Sequence, residues 1–472
     1  MARSSPPKIH HDTLPQAIST SHPWPLAAEL LHHYIMDVTG LLQPVIYTRN
    51  FYSIVYVPRA LVGAGNLLLL GHAATPSSGD RSIFYSLLAT SALHLRNTGA
   101  GLDLRGLEMD RVGRFCRAMA YRYLRSAMAE ALSDQDALQT TMSAVLSLIT
   151  IDVMDGGMSE FWVHLNAFKW LSRHQSRMQI QETTATSQTE TYLNTIFYFQ
   201  STLSLTTDCT FIPVPWPADS QRSAQLRGAL FQTPLLDDHC LQHTYGVTRK
   251  LVVFIRVIAV LFQSVSYYIS CGLALPETLE QTLADLSNRL DAWDLNSERN
   301  LLHFDGSDES TPKPRVLRLH ILAFSHAIRI FHLTHLVFPL YQGKEALQQS
   351  DNQLSEILQS HVSQVSSLLH MIEEIKRTSN NGSFEKQVAP ILWPGFIASC
   401  EADSSNQESW AQWWNHMSAY RIGNIQSLRR IVEGVWRVRD ESNIRIHGDL
   451  GGFFMPSWRA LLVDEKRRIL AL

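Results

Sequence analysis

Apolar residues recur at helical spacing along most of the chain, most clearly between Asp136 and Leu171. Apolar side chains lie four, three, four and four residues apart in its first part, which predicts a helix with one buried face. The glycine pair at 156–157 is typical of a helix end, and Ser133 with Asp136 is predicted to cap the start. The apolar period then resumes. We therefore predict a helical hairpin packed through two faces, Leu138, Met142, Val145, Ile149 and Val153 on the first helix and Phe161, Leu165, Phe168 and Leu171 on the second.

The same periodicity predicts helices across much of the remaining chain. Alternation typical of a strand is limited to Ile54–Val57. A βαβ fold would require several strands that this pattern does not offer. The sequence therefore predicts an all-α protein, an extended array of packed antiparallel helices, with further helices at 28–42, 83–97, 111–132, 318–340, 353–377 and 410–440.

Polar and proline-rich stretches divide the chain. Residues 1–26 contain no apolar run of signal-peptide length and are predicted to form a disordered leader. Residues 27–472 are predicted to form the helical domain, with an internal boundary in the proline-rich and polar segment 213–238. Uninterrupted apolar runs fall short of the roughly 20 residues that a membrane span needs, so we expect a soluble protein without a membrane partner.

The charge balance and the cysteine content limit the kinds of function that the protein can have. The 40 basic and 43 acidic residues give a net charge of −3, so no overall field attracts nucleic acid. The five cysteines, at 116, 209, 240, 271 and 400, are widely separated and odd in number. This pattern argues against a disulfide framework or a cysteine metal site and favours a reducing compartment.

Three residues are candidates for chemistry. His94, Asp152 and His164 would supply general acid and base groups if they shared one pocket. The alternative is that each histidine is a core residue hydrogen-bonded to the backbone, since His164 lies between Phe161 and Phe168 on the apolar face. No catalytic motif accompanies them, so the catalytic residues and any enzymatic activity remain open.

Two other patterns are weak binding signals. Gly63 and Gly65 begin like a dinucleotide fingerprint, but Leu68 replaces its third glycine, which favours a turn before a buried helix and no cofactor. His332 and His335 share a helical face as metal ligands can. They have no carboxylate or cysteine nearby, so we expect core positions and no metal.

Arginine and tryptophan clusters each allow more than one interpretation. The four arginines lie on one arc of a predicted helix, where they would either contact phosphate or form a solvated, salt-bridged face. A tryptophan cluster would wall a pocket, dock a partner or close the end of the array. The residues concerned are Arg111, Arg114, Arg122 and Arg125, and Trp410, Trp413 and Trp414.

Six segments, taken in their order along the chain, resemble segments of a known protein family. They are HHYIMDVTGLLQP at 32–44, VPRAL at 57–61, LLATSALHLRN at 87–97, AYRYLRSAMAEAL at 120–132, LWPGFIASCEA at 392–402 and RIGNIQSLRRIVEGVWRVRDE at 421–441. Together with the hairpin at 136–171, they resemble the fungal-specific transcription factor domain of zinc-cluster regulators of the arginine-metabolism type. The resemblance implies a helical regulatory domain, a nuclear location and binding of a protein partner, a second copy or a small-molecule effector.

The sequence departs from the family at one point. Such regulators place a zinc cluster beginning C-x2-C-x6-C before the domain, whereas no cysteine here precedes Cys116. We therefore expect no direct DNA binding from this chain alone. Either the gene model is truncated upstream, or the protein regulates a metabolic or secondary-metabolite gene set by binding a partner protein or an effector. A cytoplasmic location is the alternative to the nuclear one. The alternative is a ligand-binding protein or cyclisation-type enzyme of fungal secondary metabolism.

Overall fold

The computed structural model describes most of the chain. Helices account for nearly all of its regular structure, which confirms the all-α prediction. One short antiparallel hairpin, β1 (His447–Leu450) with β2 (Phe453–Pro456), is the exception among these residues. The described residues are 24–45, 47, 50–65, 76–99, 108–132, 134–157, 160–179, 187–208, 210, 212–301, 312–341, 348–378, 388, 391–442, 447–450, 453–464 and 469–472.

Nineteen α-helices follow one another along this part of the chain. The first ten are α1 (Trp24–His33), α2 (Thr39–Leu41), α3 (Val57–Ala64), α4 (Ser78–Asn97), α5 (Met109–Glu130), α6 (Gln135–Asp155), α7 (Phe161–Gln179), α8 (Gln188–Thr206), α9 (Ser220–Phe231) and α10 (Asp238–Tyr245). The remaining nine are α11 (Arg249–Ser270), α12 (Glu277–Asp291), α13 (Pro312–His332), α14 (Phe338–Tyr341), α15 (Gln348–Thr378), α16 (Leu392–Glu401), α17 (Gln407–Ser418), α18 (Gly423–Ser442) and α19 (Ser457–Asp464).

Short π-helical and 3₁₀ turns join some of these helices. The π turns cover Tyr34–Val38, Tyr52–Tyr56 and Leu333–Val337, and a 3₁₀ turn covers Leu295–Leu301. The strand-like prediction at 54–57 was therefore wrong. The buried residues of this turn, Tyr52, Val55 and Tyr56, follow helical spacing, and packing against the core selects the helix.

The predicted hairpin is present as α6 and α7, and all nine residues of its two predicted faces are buried. Gly156, with a φ of 78°, ends α6 in the left-handed region that favours glycine. The cap was mispredicted: the side chain of Asp134 accepts a hydrogen bond from the amide of Ala137 at 2.8 Å. Asp136 instead pairs with Arg59 at 2.7 Å, and residue 133 lies outside the described residues.

Some predicted boundaries also differ. The helix predicted over 410–440 is two helices, α17 and α18, and Arg421 between them has a φ of 59°. The segment 213–238 contains α9, and the hydrophobic core includes Trp216 and Leu236 from its two sides. The internal boundary remains a prediction, as does the leader at 1–26, of which residues 1–23 lie outside the described residues.

The core is continuous from one end of the array to the other. Helix α6 packs against α4, α5 and α7, and α11 connects α8 with α13. Helix α18 contacts both α6 and α16 and so joins the two halves. Near the C-terminus, the Asn424 side chain donates to the Leu470 carbonyl at 2.8 Å, and Leu470 is buried.

Three of the described helices are long and apolar enough to cross a membrane by length and composition alone, namely α6, α11 and the continuous segment Pro312–Leu340. The uninterrupted apolar runs in the sequence are shorter than these helices, because a few polar residues divide each helix. In the fold, 89%, 67% and 72% of their most apolar windows are buried against the rest of the protein. The expectation of a soluble chain remains a prediction.

Candidate functional site

A buried carboxylate lies at the junction of α5, α6 and α7. Asp152 is fully buried, and its Oδ1 accepts a hydrogen bond from Nη2 of Arg117 at 2.7 Å. The same guanidinium lies 3.3 Å from Asp155 and 3.0 Å from Glu160. These four side chains, with Tyr121 and His164, are called the Arg117 network below.

The network brings together two of the three predicted site residues. Nε2 of His164 lies 3.8 Å from Oδ2 of Asp152 and 3.2 Å from the Tyr121 hydroxyl, which donates to Glu160 at 2.5 Å. Burial raises the pKa of Asp152 to about 7, although Arg117 favours its charged form. Burial also lowers the pKa of His164 to about 4.

The geometry of the network is that of a structural junction. Arg96 of α4 reaches Asp155 at 2.9 Å, so the ion pairs connect four consecutive helices. Asp152 and His164 line none of the four main cavities among the described residues. The pair is close enough for proton exchange, but neither residue faces one of these cavities.

His94 lies in a different environment, at the end of α4. Its Nδ1 is 2.9 Å from Nε2 of His33, whose Nδ1 is 2.8 Å from a carboxylate oxygen of Asp37. The backbone of Tyr420 also interacts with the His94 ring and favours its protonated form. Burial, with a smaller contribution from His33, lowers the pKa of His94 to about 4. The three predicted residues therefore do not share one pocket.

His94 forms part of the wall of a cleft of about 650 Å³. The cleft lies between the turn after α1, the end of α4, the helix α15 and the turn that joins α17 to α18. We call it the His94 cleft, and its polar wall includes Asp37, His94, His370, Glu373, Arg377 and Arg421.

The acidic side of the cleft is internally satisfied. Glu373 accepts hydrogen bonds from Nζ of Lys376 at 2.9 Å and from the Tyr420 hydroxyl at 2.6 Å. Glu374 pairs with Arg377 at 2.7 Å. The Lys376 side chain is fully buried beneath this wall, so the fold rather than solvent fixes the position of Glu373.

The tryptophan cluster is part of the hydrophobic core. Trp410, Trp413 and Trp414 are all buried, and Nε1 of Trp414 donates to the Ser399 hydroxyl at 3.2 Å. A Cβ at Gly395 would lie 2.4 Å from the ring of Trp413, so α16 and α17 approach through a glycine. These indoles line none of the four main cavities among the described residues.

The arginine arc faces solvent. Its four members on α5 are exposed, and Arg114 pairs with Asp110 at 2.7 Å. Arg117 is the arginine that turns inward, and sequence reasoning missed it. A signal was present, because Arg117 lies beside Gly113, Cys116 and Ala120 on the buried face of the helix.

The weak binding signals have packing explanations. Gly63 lies inside α3, where a Cβ would approach the Asp80 carbonyl oxygen to 2.1 Å, so the two backbones touch there. Leu68 lies outside the described residues. His335 is fully buried against the Phe331 carbonyl, and His332 contacts Ser287 at 3.3 Å. No cluster of three potential metal ligands occurs among the described residues.

Comparisons with known proteins agree with the sequence resemblance. The family model of the fungal specific transcription factor domain matches residues 29–472. The arginine metabolism regulation protein II of Saccharomyces cerevisiae is 21% identical over 528 residues, which cover 92% of this chain and 55% of that protein. The chain thus spans about half the length of this relative. No solved structure matches the chain.

Proposed function

The chain belongs to the fungal specific transcription factor domain family, and from that premise we propose that it controls the transcription of a fungal metabolic or secondary-metabolite gene set. The observation that carries the proposal is the family match over nearly the whole helical array. The similarity to a regulator of arginine metabolism supports a transcription-regulator-like role and a metabolic context. A nuclear location is part of the same proposal.

The proposed mode of action is regulatory binding rather than DNA reading. The first cysteine of this sequence is Cys116, so a zinc cluster for DNA would come from a partner protein or from a segment outside these residues. The His94 cleft has the size and mixed polarity of an effector site. The proposed regulator would combine an effector in this cleft with a protein partner or a second copy.

A deletion strain tests this function directly. We expect loss of the gene to change a coherent set of metabolic transcripts and a fluorescent fusion of the full chain to enter the nucleus. Re-expression of the wild-type chain should restore the transcripts. An unchanged transcriptome together with a purely cytosolic fusion would overturn the proposal. Loss of a metabolite with unchanged transcripts would instead support the enzymatic alternative.

A further inference from the structure

We infer that the His94 cleft binds a small organic anion, and that the guanidinium of Arg421 is its anchor. The inference deepens the proposed function, on which its regulatory meaning rests, by assigning the chemical class of the effector. The binding site itself follows from the structure of the cleft.

The first argument is space. A cleft of about 650 Å³ lies within the roughly 300–1,000 Å³ that small-molecule sites occupy. Leu41 and Ala419 supply apolar contact on its walls, and polar groups lie around them. A ligand with a compact apolar part and one charged end would match this arrangement.

The second argument is the pairing of charges. Each of the three carboxylates in the wall already has a hydrogen-bonding partner in the fold. Glu373 pairs with Lys376 and Glu374 with Arg377, whereas Asp37 contacts His33, whose pKa is lowered by burial. Arg421 has no ion pair in the described part of the chain. A guanidinium presents several donors that match a carboxylate or a phosphate. Arg421 is therefore the cation in the wall that no carboxylate of the described residues neutralises, and its complement is an anion.

The third argument is the backbone at the anchor. Arg421 has a φ of 59°, and it is the only residue other than glycine with a positive φ among those described. It follows the end of α17, where glycine is the usual residue in this conformation. Glycine would relieve the local strain, and backbone strain at a residue other than glycine is typical of functional sites, which supports a role for the Arg421 side chain.

The neighbouring histidine adds a directional contact. Nδ1 of His370 lies 2.8 Å from the Ser366 carbonyl oxygen, to which it must donate. In the neutral ring this leaves Nε2 as a hydrogen-bond acceptor. An anion that also carries a hydroxyl or amino donor would therefore use both Arg421 and His370.

Ligand-observed fluorine NMR with the purified full chain tests the site. The probe is 4-fluorobenzoate, which combines a carboxylate with a compact ring, and its uncharged control is 4-fluorobenzamide. We expect the benzoate to bind and the benzamide not to bind. Because glycine fits a φ of 59°, Arg421→Gly should fold and should weaken benzoate binding by at least about tenfold, the loss of one charge-assisted contact.

Arg430→Gln is the matched control, because Arg430 is an exposed arginine on α18 and does not line the cleft. It should leave binding unchanged, and Arg421→Lys should retain part of it. Equal binding by the wild type and a folded Arg421→Gly variant, or equal binding of the acid and the amide, would overturn the site.

This test is separate from that of the proposed function. Probe binding that depends on Arg421, in a protein whose deletion leaves transcripts unchanged, would keep the site and reject the regulatory function. Altered transcripts without such binding would keep the function and reject the site.

Discussion

Replacing Arg117 with methionine removes the only cation that contacts the buried Asp152 in the described structure. Methionine keeps most of the length of the side chain, so the change chiefly removes charge and hydrogen bonds. Breaking a buried pair from one side leaves an uncompensated charge, which typically costs about 3–5 kcal/mol. The contacts of Arg117 with Asp155 and Glu160 are more exposed and add at most about 1 kcal/mol each.

The pKa of Asp152 gives this cost a pH dependence. A carboxyl whose pKa rises from its ordinary 3.8 to about 7 on folding loses about 4 kcal/mol of folding free energy when fully ionised. The folded state holds this proton more strongly than the unfolded state. Stability therefore falls as the pH rises from about 4 to about 7 in the wild type. Without Arg117 the pKa rises further, so the fall continues to higher pH.

The measurement is urea unfolding of both proteins, followed by tryptophan fluorescence. We expect Arg117→Met to be less stable than the wild type by about 3–5 kcal/mol near pH 8, and this deficit to shrink near pH 6, where both proteins carry a protonated Asp152. In the double variant Arg117→Met with Asp152→Leu, both charges are absent, and most of the lost stability should return.

The surface variant Arg114→Met is the control on the same helix. Its arginine is 69% exposed, so stability should change by no more than about 1 kcal/mol. A deficit in Arg117→Met of the same size at both pH values would refute the assignment of the cost to the Asp152 charge. So would a double variant in which the costs of the two changes simply add.

Three further changes have expected outcomes. Gly156→Ala should lower the urea midpoint by an amount worth more than about 2 kcal/mol, because the φ is 78° and the new Cβ would lie 2.5 Å from a carbonyl oxygen, whereas Gly228→Ala on the open face of α9 should be neutral or stabilising. Equal effects would contradict this explanation. Gly395→Ala should destabilise α16 and shift the tryptophan emission, since its Cβ would meet an indole ring at 2.4 Å, and an unchanged spectrum and midpoint would argue against this packing. The wild type should lose about 3 kcal/mol of stability as the pH falls from 6.5 to about 4, because the unfolded state protonates His94 more readily than the folded state, whereas His94→Gln should not show this loss. Urea midpoints that fall equally in both proteins between pH 7 and pH 5 would contradict this prediction.

The sequence could predict what depends on local spacing. The buried faces of α6 and α7 follow from the positions of Leu138 and Phe161 and their periodic neighbours, and packing agrees with them. The break at Arg421 could not be predicted in this way, because the apolar period continues across 410–440. The break is accompanied by the close approach of Gly423 to the end of α6, a tertiary contact that local spacing does not reveal.

The site residues depended on contacts between distant segments. Arg117 meets Asp152 across 35 residues and Glu160 across 43, and no spacing rule relates positions so far apart. His94 was a candidate for a pocket shared with Asp152 and His164, but it lines a cleft whose other wall comes from α15 and the α17–α18 turn. Residue types identified the candidates, and tertiary packing decided their partners.

The Arg117 network and the His94 cleft meet at one short segment. The turn at 419–423 brings the Tyr420 backbone to His94 and places Gly423 against the end of α6, where a Cβ on Gly156 would lie 2.5 Å from the Gly423 carbonyl oxygen. The Ser427 hydroxyl then donates to the Gly156 carbonyl at 2.7 Å. Because these contacts fix the turn on α6, the position of Arg421 in the wall of the cleft depends on the helix end that the Arg117 network holds.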